Sequence, residues 1–169
     1  MSYEISHGTP IIWGVSGASG ATHLLEIDGL SNGVARQGTY ADLGASHAEE
    51  YDVYLRVETG TGLSAGTTVD LYLVCTNDTS NWPAKVTGVD GNYTLGAEDA
   101  NLQQAGSPVI SLISLAEWPA ILRQASVIWR PQGRYVAPIF DNNLGTFIRN
   151  EVTNAHNDTG VILIPRNIA

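Results

Sequence analysis

Residues 51–75 read YDVYLRVETGTGLSAGTTVDLYLVC and contain two runs in which apolar and polar side chains alternate. In the first run every odd position from Tyr51 to Val57 is apolar, and in the second run Val69 and Leu71 continue the same alternation. A period of two is typical of a strand with one buried face. The glycine-rich stretch between the two runs predicts that they form an antiparallel pair.

Other short runs rich in apolar and β-branched residues predict further strands. We expect them at residues 24–27, 33–40, 109–115, 125–129, 134–140 and 161–164. Turn pairs such as Asp28-Gly29 separate these runs. Eight or so short strands with such turns favour an all-β fold, an antiparallel β-sandwich with a jelly-roll-like architecture. Because proline lacks an N–H, we expect Pro138 to mark an edge strand or a bulge, and Pro165 to bound the last strand.

The first twenty residues differ in composition from the rest of the chain. Their glycines and a single proline predict an extended N-terminal arm over residues 1–20, followed by a β-sandwich domain over residues 21–169. Ile11, Ile12 and Trp13 form the one apolar point of this arm. Two alternatives stay open for them, because they suit either an anchor on a neighbouring molecule or a first strand of the sandwich.

Tryptophans are the main candidates for contacts with a partner. Trp129 lies in a predicted strand, which favours a core position. Trp82 and Trp118 each precede a proline in predicted loops, where they would either plug the open ends of the sandwich or contact a sugar or a protein. Residues 117–124 form either a short helix or an irregular crossing loop. The candidate interface residues are therefore Ile11, Ile12, Trp13, Trp82 and Trp118.

No spacing of reactive residues in the sequence predicts a catalytic or metal site. The four histidines lie singly, and the nearest approach to a metal cluster, His47 with Glu49 and Glu50, better fits a solvated strand entry. The stretch GTGLSA at 60–65 resembles a dinucleotide-binding fingerprint, but a predicted strand follows it where a helix is needed. We therefore predict a non-enzymatic protein without cofactor or metal, with Cys75 as a buried structural thiol.

The charge balance is strongly acidic. Eight Lys and Arg residues, of which only Lys85 is a lysine, face 17 Asp and Glu residues, so the formal net charge is −9. Affinity for a duplex comes largely from cations, so this balance disfavours a nucleic-acid partner. The sequence has no apolar run of the roughly 18 residues that a membrane span needs. Its first residues also lack the basic region followed by an apolar region that a signal peptide has, so we expect no signal peptide.

A resemblance to a known family appears in the order of segments over residues 50–166. It is carried by the two alternating runs and the glycine loop between them, the strand at 109–115, and the closing runs at 134–139 and 159–165. This order resembles that of small structural proteins of tailed-phage virions, the jelly-roll decoration or cement proteins of the capsid. The motifs are strand spacings and turn residues, so the resemblance brings no fixed functional residues with it.

The resemblance implies a non-enzymatic protein that stabilises a phage capsid by bridging capsomers. It also implies two partners, the major capsid protein and further copies of this chain in a homotrimer. The expected location is the exterior of the virion capsid, after synthesis in the host cytoplasm.

Two other function classes stay open. A virion spike, fibre or tail-adaptor domain that binds host glycans would use Trp82, Trp118 and the loop tyrosines. A carbohydrate-active enzyme or a cupin-like sandwich would need a histidine cluster with a carboxylate, which the sequence does not show.

Overall fold

The computed structural model of the chain describes residues 5–18, 20–59, 63, 65–95, 105–114, 123–149 and 160–168. Within these residues it contains twelve β-strands and one 3₁₀ turn, at Pro83–Lys85. The strands are β1 (Ile5–His7), β2 (Ile11–Gly14), β3 (His23–Leu24), β4 (Val34–Gln37), β5 (Ala41–Asp42), β6 (Glu50–Val57), β7 (Thr68–Thr76), β8 (Gly91–Tyr93), β9 (Ile110–Ile113), β10 (Arg123–Trp129), β11 (Tyr135–Asn143) and β12 (Gly160–Ile168). No helix in this part of the chain is long and apolar enough to cross a membrane.

The strands form two six-stranded sheets. Sheet A has the order β10-β6-β12-β2-β3, and β1 also pairs with β12. Sheet B has the order β8-β4-β11-β7-β9, and β5 also pairs with β11. Every described strand pair is antiparallel except the two-residue pair between β2 and β3. This architecture confirms the prediction of an all-β, antiparallel sandwich.

The main core lies between the two sheets. The alternation read from the sequence places the odd residues of β6, from Tyr51 to Val57, on the inner face of sheet A, where they are at most 2% exposed. Leu71 of β7 and Phe140 of β11 meet them from sheet B and are fully buried. Burial of apolar area contributes roughly 25 cal/mol per Å², so this layer is the chief stabilising contribution to the sandwich.

A second core covers the outer face of sheet B. Segment 82–86 folds back over that face, and Val86 from this segment and Tyr93 from the edge strand β8 pack against Val74 of β7 and Ile139 of β11. Strand β11 is consequently buried on both faces along seven consecutive residues. Its sequence lacks a simple alternation for this reason, because a strand between two apolar layers needs apolar side chains on both faces.

Two prolines lie inside central strands, which corrects the expectation that Pro138 marks an edge or a bulge and that Pro165 bounds the last strand. Pro138 belongs to β11, and its carbonyl accepts a hydrogen bond from the Gly38 N–H (3.0 Å) at the gap between β4 and β5. Pro165 belongs to β12, and its carbonyl accepts one from the Gly8 N–H (3.1 Å) at the gap between β1 and β2. In an antiparallel ladder the N–H and C=O of one residue face the same neighbour. Each missing N–H therefore faces a gap where no ladder partner is required.

Other expectations about the chain ends and loops are settled in part. For residues 11–13 the structure shows the second alternative, a strand of the sandwich, since β2 pairs with β12. Of the residues expected to form a strand at 24–27, only Leu24 lies in one, the two-residue strand β3 (His23–Leu24). Residues 115–122 are outside the described residues. Residues 123 and 124, the last two of the window 117–124, lie in β10. This strand therefore begins two residues before the one predicted at 125–129.

We predict that Gly38→Ala destabilises the protein by about 1–3 kcal/mol, the usual cost of overpacking. A Cβ at this position would lie 2.8 Å from the Leu24 carbonyl oxygen, 2.9 Å from Cγ of Pro138 and 3.1 Å from Cδ1 of Trp13. Urea unfolding measures the change in the free energy of unfolding. The matched control is Gly91→Ala, whose Cβ would meet nothing within 4 Å, and we expect a change within about 0.5 kcal/mol there. Equal effects of the two substitutions would contradict this account.

Candidate functional site

Trp82 begins the segment that covers sheet B. It is half-buried against the second core, and its Nε1 donates a hydrogen bond to the Thr79 carbonyl (3.1 Å). The following turn has two non-glycine residues in the left-handed region, Ala84 (φ 55°) and Lys85 (φ 54°). The hydroxyl of Tyr93 donates to the Ala84 carbonyl (2.5 Å) and holds this turn against the sheet. Strain of this kind persists only where surrounding contacts fix it, so the turn that follows Trp82 is held in place by the sheet.

Three aromatic rings follow one another across the surface at this end of sheet B. The ring centroid of Tyr40 lies 6.0 Å from that of Trp82 and 5.7 Å from that of Tyr135, the second pair being edge-to-face. Both separations are in the range in which aromatic pairs attract each other. Gly88 makes the first contact possible, because a Cβ there would lie 2.9 Å from Cδ1 of Tyr40 and 3.2 Å from Nε1 of Trp82.

Exposed aliphatic side chains extend this row of rings. Leu24 is 42% exposed, Tyr40 41% and Val89 64%. Backbone hydrogen bonds tie the three segments together, from the Thr39 N–H to the Leu24 carbonyl (2.9 Å) and from the Tyr40 N–H to the Gly88 carbonyl (3.0 Å). We call Leu24, Tyr40, Trp82, Val89 and Tyr135 the aromatic surface. These exposed apolar groups make the surface the candidate binding site of the described residues.

An ion pair borders the aromatic surface. The guanidinium of Arg134 donates to both carboxylate oxygens of Asp42, at 2.7 Å and 2.6 Å, and lies 5.0 Å from the ring centroid of Tyr135. The hydrogen bonds from Arg134, and then that from the Gly44 N–H, lower the pKa of Asp42 to about 2. This edge of the surface therefore carries a fixed carboxylate and a fixed cation, both able to bond a polar ligand.

A cleft with both polar and apolar lining adjoins the aromatic surface at Leu24 and Thr39. Its volume is about 440 Å³, and the turn at 15–18 forms its other wall. His23 lines the cleft, with its ring 5.4 Å from that of Trp13 and its Nδ1 2.9 Å from the Thr22 hydroxyl. Burial lowers the pKa of His23. A neutral imidazole at this wall presents hydrogen-bonding groups without charge.

The candidate residues named from the sequence have different fates. Trp13 is fully buried in the main core, and its Nε1 donates to the Thr39 carbonyl (2.6 Å), so its ring offers no free surface. Ile11 packs against the same core, whereas Ile12 lies half-buried on the outer face of sheet A. Trp82 belongs to the aromatic surface. Trp118 is outside the described residues.

Two other residues read from the sequence can also be placed. Trp129 is half-buried, packs against the main core and has its ring 6.1 Å from that of Tyr51. Cys75 is half-buried against the same core, and burial raises the pKa of its thiol. Both positions fit a structural role for the side chain.

Within the described part of the chain, no three His, Cys, Asp or Glu side chains are grouped so that they could hold a metal ion. Glu50, from the trio with His47 and Glu49, accepts hydrogen bonds from Arg130 (2.6 Å) and Arg166 (3.2 Å). The hydrogen bond from Arg130 is the largest cause of its lowered pKa. Its carboxylate thus forms part of an ion-pair network on sheet A.

Sequence reasoning missed Leu24, Tyr40, Val89 and Tyr135 as members of the surface. They come from four separate segments, and none stands in a motif. The one available signal was general, because tyrosines in loops are candidates for contacts with a partner. Comparisons with known proteins add no further member, since no protein-family model, no curated protein and no solved structure matches this chain.

We predict that Arg134→Gln raises the pKa of Asp42 from about 2 towards the ordinary value of about 3.9. The hydrogen bond from the Gly44 N–H remains in this variant, so the pKa of Asp42 should rise only part of the way to the ordinary value. The pKa of Asp42 is lowered in the folded state, so its contribution to stability is present at neutral pH and is lost as the pH falls from about 4 to about 2. Carboxylate NMR titration measures the shift, and Lys85→Gln is the control that removes a distant cation. An unchanged Asp42 pKa in Arg134→Gln would show that the ion pair does not form in solution.

Proposed function

We propose that the chain is a non-enzymatic structural protein of a phage virion, which decorates the capsid and stabilises it by bridging capsomers. Its partners in this proposal are the major capsid protein and further copies of the chain in a homotrimer, on the capsid exterior. The order of the strands is the observation that carries the proposal. The aromatic surface and the net charge add to it.

The strand order supports jelly-roll wiring. Strands β2, β12, β6 and β10 are successive neighbours in sheet A, and β4, β11, β7 and β9 are successive neighbours in sheet B. Numbered from one to eight along the chain, these strands give the orders 1-8-3-6 and 2-7-4-5. That is the order produced by two Greek keys folded into a double sheet, an arrangement common in viral capsid proteins and lectins.

The aromatic surface provides the place for docking on a shell. Interfaces between proteins are enriched in tyrosine, tryptophan and arginine, and a few such side chains supply most of the binding energy. Tyr40, Trp82 and Tyr135 with the adjacent Arg134 have this composition. A net charge of −9 suits a position outside the shell, because an acidic surface is repelled by packaged DNA.

We predict that the purified chain binds mature capsids assembled without it and raises the temperature at which they rupture. Val89→Lys places a charge next to Gly88, which contacts Tyr40 and Trp82, and should weaken binding about tenfold or more, the effect of losing one interface hot spot. The control is Ile113→Lys on β9, outside the aromatic surface. Ile113 (60% exposed) and Val89 (64% exposed) are similarly accessible, so the two substitutions add a lysine at equally exposed positions. Co-sedimentation measures occupancy. Absence of binding by the unaltered chain would overturn the capsid proposal.

A second candidate function is favoured by the ring geometry itself. Tyr40, Trp82 and Tyr135 form a row of partly exposed rings beside a carboxylate and a guanidinium. The C–H face of a sugar packs on aromatic rings while its hydroxyls bond polar neighbours. In this alternative the chain is a spike, fibre or tail-adaptor domain that binds host glycans.

A glycan array distinguishes this alternative from the first proposal. In the glycan-binding case we expect a saturable signal that Tyr40→Ala reduces by about tenfold or more, as loss of a stacking ring does. Phe147→Ala is the control, because Phe147 is also an exposed aromatic residue (48%) and lies outside the aromatic surface. A silent array with the unaltered chain would remove the glycan alternative.

A further inference from the structure

The cleft beside the aromatic surface has walls that are held by hydrogen bonds. Its volume of about 440 Å³ lies in the range of sites that bind small molecules. The turn at 15–18 is tied to Glu26, whose carboxylate accepts the Ser16 N–H. On the other side the Thr39 hydroxyl accepts the Leu24 N–H (3.0 Å). A small molecule therefore meets a cavity that is already formed, which lowers the cost of binding.

The lining of the cleft is uncharged. None of the described residues that line it is an aspartate, a glutamate, a lysine or an arginine. Val15, Ala18, Ala21 and Leu24 supply its apolar part, while hydroxyl and imidazole groups supply its polar part. The formal net charge of −9 repels an anion, and no lining carboxylate is present in the described residues to hold a cation. The cleft therefore suits an uncharged molecule that has both polar and apolar groups.

Thr22 determines which nitrogen of the His23 ring carries the proton. The Thr22 hydroxyl oxygen lies 3.1 Å from the Ile12 nitrogen, 3.2 Å from the Ile12 carbonyl oxygen and 2.9 Å from Nδ1 of His23. A hydroxyl donates one hydrogen bond and accepts two. All three contacts are hydrogen bonds only when the Ile12 N–H and the Nδ1–H donate to the hydroxyl, and the hydroxyl donates to the Ile12 carbonyl. The proton of the neutral ring is therefore on Nδ1.

The second ring nitrogen of His23 is left as a hydrogen-bond acceptor. Within the described part of the chain, no hydrogen bond reaches Nε2. Burial lowers the pKa of His23, so the ring is neutral at pH 7 and Nε2 carries no proton there. The ring is also held against Trp13, at a centroid separation of 5.4 Å. A molecule in the cleft must therefore offer an O–H or N–H to a fixed acceptor.

A neutral sugar combines the properties that this lining selects. Its hydroxyls donate hydrogen bonds without charge, and its C–H groups pack on apolar side chains. We propose that the cleft binds one neutral sugar residue, with a sugar hydroxyl donating to Nε2 of His23 and sugar C–H groups contacting Leu24 and Ala21. The inference deepens the glycan-binding alternative and rests on it for the source of the sugar. It adds a subsite that the rings of the aromatic surface do not form.

NMR titration of the whole chain tests the site. The probes are the methyl glycosides of glucose, galactose, mannose and N-acetylglucosamine, and each hexoside has a charged comparator in the uronic acid with the same ring. At least one neutral glycoside should shift the backbone amides of residues 15–18 and 22–24 in a saturable way. A matched uronic acid should bind about tenfold more weakly or worse, because its carboxylate finds no partner in the cleft.

Substitution of His23 separates the acceptor from the shape of the site. His23→Phe keeps a ring beside Trp13 but removes Nε2, and it should weaken sugar binding about tenfold or more. His23→Gln restores a side-chain acceptor and should recover part of that loss. The matched control is His47→Phe, because His47 is also half-buried and does not line the cleft. Ala18→Leu, which fills part of the cleft, carries the test if His23→Phe does not fold.

Three results would overturn the proposal. They are the absence of saturable shifts with every neutral glycoside, a uronic acid that binds as tightly as its neutral partner, and equal affinities of His23→Phe and His47→Phe. Long-range nitrogen–proton spectra of His23 give a further readout, and a proton on Nε2 at pH 7 would also contradict the proposed hydrogen bond.

Failure of this site can be distinguished from failure of the proposed functions. A glycan-array signal that Tyr40→Ala reduces and His23→Phe leaves unchanged would refute the cleft and leave glycan binding by the aromatic surface standing. A sugar that binds in the cleft of a chain without affinity for capsids would support the site and refute decoration.

Discussion

The structure depends on the burial of two central strands that each contain a proline. Strands β11 and β12 have neighbours on both sides, and an inner proline would cost a ladder hydrogen bond in either. The chain avoids that cost by interrupting the neighbouring strand opposite Pro138 and Pro165. The gaps between β1 and β2 and between β4 and β5 are therefore consequences of one constraint.

The same constraint positions the candidate site. The gap opposite Pro138 contains Gly38 and Tyr40, and the Tyr40 side chain leaves the sheet there to meet Trp82 and Tyr135. Gly38 must lack a side chain because the Leu24 carbonyl and Pro138 occupy the space. The feature that preserves the ladder thus also brings an exposed aromatic side chain, Tyr40, to the candidate site.

The asymmetry between the sheets decides which surfaces remain. Ala84 and Val86 of the segment after Trp82 pack on the outer face of sheet B, so β11 is buried on both faces. On sheet A, by contrast, Ile128 of β10 remains 53% exposed.

Much of the fold was predictable from local pattern. Strands β6 and β7 follow directly from alternation, because a half-buried strand needs apolar side chains at every second position. The predicted positions of the two prolines were wrong, because a missing N–H is tolerated wherever the neighbouring strand is interrupted. The local sequence does not show which strand is the neighbour. The fate of Trp13 was open for a similar reason, because a short apolar run suits a strand or an anchor equally.

The sequence by itself determined the all-β class, the acidic charge and the lack of any reactive spacing, since each depends on composition or on neighbours along the chain. Only the tertiary structure decided the strand order and the aromatic surface. Those features join residues far apart in sequence, such as Tyr40 with Tyr135 and Arg56 with Gly160. Their contacts are set by sheet register and by packing between the two sheets. The hydrophobic period and the secondary-structure propensity of the sequence do not encode either of these.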